Sequence, residues 1–221
     1  MMTGVIGMVE CRDEPVLLAE RILVDPTSHE EKLFQKLEDI LSLLSMKPSD
    51  INGIIVGIGP GSFTGLRVGL AAAKGMALSL GIPIVGVSSL DVLEQSLGGG
   101  MVVPLIDARR GEIYGQVRGQ VQPAALSPES WCDRLQALLG PFVCVGDGAE
   151  RYASILSDRL STKISFGPRI ANLSRGLAML KLGVQKTQHG GDDLAALIPQ
   201  YLRVSDAEIG FRRRVDSVNL S

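Results

Sequence analysis

The stretch Gly57-Ile58-Gly59-Pro60-Gly61-Ser62-Phe63-Thr64-Gly65 sets glycines and a hydroxyl between an apolar run and a helical pattern. A strand–loop–helix with backbone N–H groups at the helix start is the setting in which proteins bind phosphate and other anions. Gly59, Gly61 and Ser62 are the candidate nucleotide or anion contacts. The loop is not a Walker A motif, because no Lys-Ser or Lys-Thr pair follows. It also departs from the dinucleotide fingerprint: Thr64 stands where the third small residue belongs, and the next apolar run closes on Val87-Ser88-Ser89 without an acid. An anion site and a tight turn that binds nothing both remain open. Asp107 and Asp147 each end an apolar run. A carboxylate there can meet Mg²⁺ or a sugar hydroxyl, and it can equally cap a turn.

Other catalytic chemistry is poorly supplied. His29 and His189 are the two histidines, and no H-x-x-x-H or H-E-x-x-H pattern exists. His189, beside Gly190-Gly191-Asp192, has no nucleophile in view to serve as general base. Cys11, Cys132 and Cys144 are odd in number and lack C-x-x-C spacing, which argues against a disulfide framework and a structural zinc. No residue is assigned as catalytic and none as a metal ligand.

The elements that position these residues follow from pattern and composition. Lys plus Arg number 22 and Asp plus Glu 24, a formal charge of −2, so the surface as a whole is not a nucleic-acid grip. Aromatics are 4%, too few for a single-strand stacking platform. Hydrophobic content of 45% argues against disorder. No apolar run reaches the ~18 residues of a membrane span, and the N-terminus has no basic flank of a signal peptide. A cytoplasmic protein is expected.

Thr3–Glu10 and Val16–Val24 read as a hairpin around Arg12-Asp13-Glu14-Pro15. Ser28 with Glu31 makes a capping-box pattern, opening a helix to Ser45 with an apolar stripe of Leu33, Leu37, Ile40, Leu41 and Leu44 that Phe34 and Leu43 widen. Gly53–Ile58, Ile82–Val87, Met101–Ile106 and Phe142–Val145 are continuous apolar runs, the mark of strands buried on both faces. Helices are predicted at Thr64–Leu80, Ser89–Leu97, Pro128–Leu139 capped by Ser127, after the strand end Gly146-Asp147-Gly148-Ala149 to Leu160, and at Asn172–Val184; Glu112–Arg118 reads as a hairpin partner. Gly98-Gly99-Gly100 is the best boundary, dividing residues 1–99 from 100–221. Hairpin, helix and strand follow one another in both halves, which suggests two related α/β lobes.

The helix Thr64–Leu80 holds Gly65, Gly69, Ala73 and Ala77 in one line at four-residue spacing. Each interior glycine costs about 1 kcal/mol of propensity relative to alanine. Close approach of something repays that cost: the chain's own sheet, or a crossing helix from this chain or a partner. Arg212-Arg213-Arg214 reads as a solvated tail or a nucleic-acid contact.

Ile54-Ile55-Val56-Gly57-Ile58-Gly59-Pro60-Gly61-Ser62-Phe63-Thr64-Gly65-Leu66-Arg67-Val68-Gly69, with Ala73-Lys74-Gly75 and Gly86-Val87-Ser88-Ser89-Leu90, resembles the TsaB (YeaZ) family. Asp107-Ala108-Arg109-Arg110-Gly111-Glu112-Ile113-Tyr114, Gly146-Asp147-Gly148-Ala149 and Pro199-Gln200-Tyr201-Leu202-Arg203 resemble its later motifs in order. The resemblance implies an actin-like ATPase fold (ASKHA, ribonuclease H-like) of two lobes. It also implies a role in making threonylcarbamoyladenosine beside the tRNA anticodon, as a non-catalytic sister of the TsaD subunit, whose metal-binding histidine pair this chain lacks. A glycoprotein peptidase, an old description of that sister, is disfavoured for the same reason. Implied partners are TsaD, the ATPase TsaE and, for the chain alone, a second copy, with tRNA met indirectly.

The implied interface is the first two helices, here Ser28–Ser45 and Thr64–Leu80, with Leu33, Leu37, Leu41, Gly65, Gly69, Ala73 and Ala77. No cofactor is implied as required; weak ATP or ADP with Mg²⁺ at Gly59, Gly61, Ser62 and Asp147 is the competing expectation, that of a small-molecule ATPase or sugar-kinase-like enzyme. Family members open with a strand of the type I-L-A-I-D-T-S, the central strand of the fold. Thr3–Val9 aligns with the segment next after that strand, so the expectation is a missing first central strand and a longer native product, decided by intact mass.

Overall fold

The computed structural model describes residues 4–11, 15–23, 29–97, 101–168 and 175–203. The Ser28 cap, the Arg12–Glu14 turn, the triple glycine and Arg212–Arg214 lie outside them. Strands β1 (Gly4–Cys11) and β2 (Pro15–Leu23) form the expected antiparallel hairpin. Helix α1 (His29–Leu43) comes next and buries Ile40 and Leu41 against Ala19 of β2, with Leu37 and Leu44 alongside. Strand β3 (Ile54–Gly59), helix α2 (Phe63–Leu80) and strand β4 (Ile84–Ser88) make a parallel β–α–β unit. The side-chain oxygen of Ser62 caps α2, and Gly81 ends it in the left-handed region. Helix α3 (Ser89–Gln95) is capped by Ser88.

The second half is one five-stranded sheet in the order β7-β6-β5-β8-β9. It comprises β5 (Val102–Arg109), β6 (Glu112–Val117), β7 (Val121–Leu126), β8 (Phe142–Val145) and β9 (Ile164–Phe166). The β5–β6–β7 side is antiparallel and the β5–β8–β9 side parallel. Helix α4 (Pro128–Ala137) starts on the Ser127 cap with proline at its first position, where its missing N–H costs nothing. Helices α5 (Asp147–Arg151), α6 (Ala153–Leu160) and α7 (Gly176–Gln188) are the remaining α-helices among the described residues. Val103, Leu105, Ile113, Trp131, Leu135, Phe142 and Leu156 share one buried core. Trp131 Nε1–H donates to the Ile113 carbonyl at 3.0 Å, so the indole is buried without a polar orphan.

Several expectations need correction. The single helix expected after Ala149, to Leu160, is two: α5 already starts at Asp147, and Tyr152 leaves helical geometry at φ −107° and ψ 21° before α6. Strands β7 and β9 add to the elements that the pattern predicts. Strand β3 is not buried on both faces: Ile54 to Ile58 are all half-buried, and only Gly59 is buried. Among the described residues β3 pairs with β4 alone and β1 with β2 alone. Helix α7 packs across all four of these strands and against α3. No helix among the described residues is long and apolar enough to cross a membrane.

Candidate partner surface and glycine loop

The glycine loop is shaped as a turn. Gly59 sits at φ 104°, and a Cβ there would come within 2.8 Å of Leu66 Cδ1 and 3.2 Å of the Gln200 carbonyl oxygen, so only glycine fits. Gln200 N–H donates to Ile58 O at 2.7 Å, which pins the later segment beside the loop. Ser62 Oγ accepts from Gly65 N–H at 3.2 Å, so this hydroxyl serves α2. The Gln200 carbonyl oxygen next to Gly59 opposes an anion there, and the Gly65 N–H is taken by Ser62 Oγ. Beside Gly61 there is open space.

Asp147 and Asp107 come together and brace each other's turns. Asp147 Oδ1 accepts from Asp107 N–H at 3.0 Å, and Asp107 Oδ1 accepts from Arg109 N–H at 2.9 Å. The Asp107 side chain is only 4% exposed, and its Oδ2 lies 3.4 Å from Arg109 Nη1 and from Arg151 Nη1. Asp147 thus links the start of α5 to the end of β5, while Asp107 caps its own turn and has guanidinium partners as well. Arg203 Nη1 donates to Ala108 O and Glu112 Oε2, both at 3.1 Å, tying the end of the described chain to the β5–β6 turn. Among the described residues no three His, Cys, Asp or Glu cluster to hold a metal ion. His189 is exposed. Cys132 and Cys144 are free and buried. Burial pushes the Cys144 thiol up to about 12 and raises Cys132, so neither is a nucleophile.

Sequence reasoning missed two polar devices. Glu20 Oε1 accepts from Gly176 N–H at 2.7 Å, placing a carboxylate at the start of α7, 156 residues away. Next to it in the chain, Arg175 is largely buried with its Nε unpartnered; burial lowers its pKa, opposed by Asp147. Asp192 Oδ2 accepts from Gly86 N–H at 2.8 Å and extends the bonding of β4. No short-range pattern announces either device, because the partners are remote in sequence.

Helices α1 and α2 touch each other. The expected interface residues divide by helical phase. Ala73 and Ala77 are buried with Leu70, Ile84 and Leu197 in the chain's own core, and Leu41 is buried with Ile40 and Ala19. Those three are unavailable to a partner. Leu37 packs against the same cluster as Leu41, and Leu33 is half-buried. The line of small residues drifts about 40° per step, since four residues exceed one turn of 3.6. It therefore leaves the core by its N-terminal end: Gly65 and Gly69 are half-buried, and a Cβ on Gly69 would meet nothing within 4 Å. The exposed arc of α2 is Thr64, Arg67, Ala71, Gly75 and Leu78, and Leu78 is 73% exposed. On α1 the exposed apolar side chains are Phe34, at 56%, and Leu43, at 60%. Two adjacent helices thus carry uncovered apolar side chains: Phe34 and Leu43, expected to widen the stripe of α1, stay outside the core, and Leu78 of α2 lies off the line of small residues.

A family model described as "TsaD: tRNA N6-adenosine threonylcarbamoyltransferase" matches residues 23–211. The tRNA threonylcarbamoyladenosine biosynthesis protein TsaB of Bacillus subtilis (strain 168) is 30% identical over 213 residues, spanning 92% of this chain and 91% of that protein. The protein of the same name from Escherichia coli (strain K12) is 36% identical over 143 residues, spanning 59% of this chain and 62% of that one. A solved structure described as YeaZ from Pseudomonas aeruginosa superposes with a TM-score of 0.69 at 23% identity, over 90% of this chain and 94% of that one, which establishes a shared fold.

Proposed function

The chain belongs to the TsaB (YeaZ) family of tRNA threonylcarbamoyladenosine biosynthesis proteins, and from that premise we propose that it is a non-catalytic subunit that binds and activates a TsaD-type catalytic subunit. The observation that carries this reading is the pair of touching helices α1 and α2 with Phe34, Leu43, Ala71 and Leu78 uncovered. Such side chains on adjacent elements are what an obligate partner covers. The work of the subunit is binding: a helical face fixes the partner in its active geometry. In this reading a TsaE-type ATPase joins the pair, a second copy takes the same face when the partner is absent, tRNA is met through the partner, and the complex works in the cytoplasm.

The proposed architecture is actin-like, with lobes of residues 1–99 and 100–221. It is supported by the order of elements: β5, β6, β7, α4, β8, α5 with α6, β9 and α7 repeat β1, β2, α1, β3, α2, β4 and α3 with one strand added in front. That added strand, β5, is the middle of its sheet; the equivalent place between β1 and β3 is held by no described strand. No cofactor is required in this reading; the Gln200 carbonyl beside Gly59 and a Gly65 N–H already taken by Ser62 Oγ support it.

Gel filtration with light scattering on this chain mixed with the TsaD-type subunit of the same organism tests the proposal. A stable 1:1 peak is expected. A soluble, folded chain that elutes alone overturns it.

A further inference from the structure

Arg67 stands on the exposed arc of α2, in line with Ala71, Gly75 and Leu78. Its guanidinium carbon lies 3.8 Å from the centroid of the Phe63 ring and 5.8 Å from that of Tyr201. Its Nε–H donates to Tyr201 Oη at 2.9 Å, across 134 residues of sequence. The two rings meet with centroids 4.9 Å apart. Tyr201 is held in turn by its neighbours: Leu197 is in the core under α2, Gln200 N–H bonds Ile58 O, and Arg203 bonds Ala108 O. The planar fork is therefore fixed on its face by an aromatic ring and on its edge by a phenol. Its two terminal amino groups make no hydrogen bond or ion pair with a described residue.

Resting on the partner-binding reading above, we propose that Phe63, Arg67 and Tyr201 form a preformed anchor that grips a carboxylate of the protein partner docked on α1 and α2. A guanidinium with both terminal amino groups free and its plane locked is built for two parallel bonds to a carboxylate. Much of the side-chain entropy that a free arginine loses on binding has already been lost in the fold. Charge points the same way. The only charged residues of α2 are Arg67 and Lys74, so the part of a partner that meets α2 is complementary when acidic, while α1 carries Glu30, Glu31, Glu38 and Asp39 beside Lys32 and Lys36. Phosphate also fits the fork. The surroundings favour protein: Ala71 and Leu78 along the helix and Ile198, 69% exposed and close to Tyr201 in the chain, are apolar, and an Arg–Tyr–Phe cluster flanked by apolar surface is the composition of a protein–protein hot spot.

The test is calorimetric affinity of the full chain for the TsaD-type subunit, with urea unfolding of each variant as the folding control. Arg67→Ala is expected to weaken binding about 30-fold or more, the size of a hot-spot loss. Arg67→Lys, which keeps the charge and loses the fork, recovers only part of it. Tyr201→Phe keeps the ring and loses the hydroxyl, and is expected to cost several-fold. Leu78→Glu reports on the helix face without touching the anchor. Unchanged affinity of Arg67→Ala, with Leu78→Glu unable to bind, overturns the anchor and leaves the helix surface standing. No complex with the wild-type chain overturns the partner reading and the anchor with it. Arg67→Ala that binds the subunit normally but loses tRNA in a filter assay assigns the fork to phosphate and overturns the carboxylate.

Discussion

Replacing Gly69 by leucine separates the face of α2 that serves the fold from the face offered to a partner. Gly69 lies in the middle of an 18-residue helix, and a Cβ there meets nothing within 4 Å. The substitution therefore adds no clash and gains helix propensity, about 0.7 kcal/mol for glycine to leucine. In a chain of this size that raises the melting temperature by about 2 °C. Helices pack with axes about 8–10 Å apart, so an isobutyl group on a close-packed face forces a partner helix away. Binding to the TsaD-type subunit is expected to fall by about 100-fold or more. Ala77→Leu is the opposite case. Ala77 is 1% exposed among Leu70, Ala73, Ile84 and Leu197, so the added bulk overpacks the core and costs about 1–3 kcal/mol. Urea unfolding and calorimetric titration of both variants read the two effects separately. A folded Gly69→Leu chain that binds at full strength refutes the assignment of the face. A Gly69→Leu chain destabilised by more than about 1 kcal/mol refutes the open space beside it.

Ligand response, a remote helix cap and a buried thiol give three further expected outcomes. ATP with Mg²⁺ is expected to leave the melting temperature unchanged; a shift approaching the ~2.7 kcal/mol of a ligand at 100 times its Kd, read by thermal denaturation, would favour the small-molecule ATPase reading. Glu20→Ala removes the acceptor of Gly176 N–H at the start of α7 and is expected to cost about 1–2 kcal/mol in urea unfolding, with Glu20→Gln losing less. Cys144 is held protonated in the fold, up to about 12, against about 8.5 when unfolded, so its contribution is complete below about pH 8.5 and is lost as pH rises toward the folded value. Stability at pH 10 is expected to lie about 2 kcal/mol below that at pH 8 from this group alone, and Cys144→Ala flattens that slope.

The sequence was most legible where one local rule decides the outcome. Ser127-Pro128 marks a helix start by its cap and its proline, and α4 begins there. Phe142–Val145 is four apolar residues between Gly-Pro and Gly-Asp, and the strand has those bounds. Phase along a helix was harder to read. Gly65, Gly69, Ala73 and Ala77 form one line only if a helix has four residues per turn; at 3.6 the line winds from the open side into the core. Residue type cannot show where the line crosses from one to the other, because both environments accept small side chains. The Phe63–Arg67–Tyr201 cluster was illegible for another reason: its members join through the fold, over 134 residues.

Strand β3 combines both lessons. An unbroken apolar run is written for a strand with neighbours on both edges and layers on both faces. The second half shows what that context looks like. There β5 sits between β6 and β8, Val102 to Leu105 are buried, and one large core lies between the sheet and its helices. In the first half Ile54 to Ile58 are half-buried, and the buried residues fall into separate small clusters, one under α2, one under α1 and one under α7. Helix α7 spans both strand pairs, and Gly183 lets its backbone close onto Ile55. Among the described residues the four strands thus share a cover without sharing a sheet. The apolar run of β3 is thus written for a more enclosed setting than its neighbours among the described residues provide, and its half-burial follows from that.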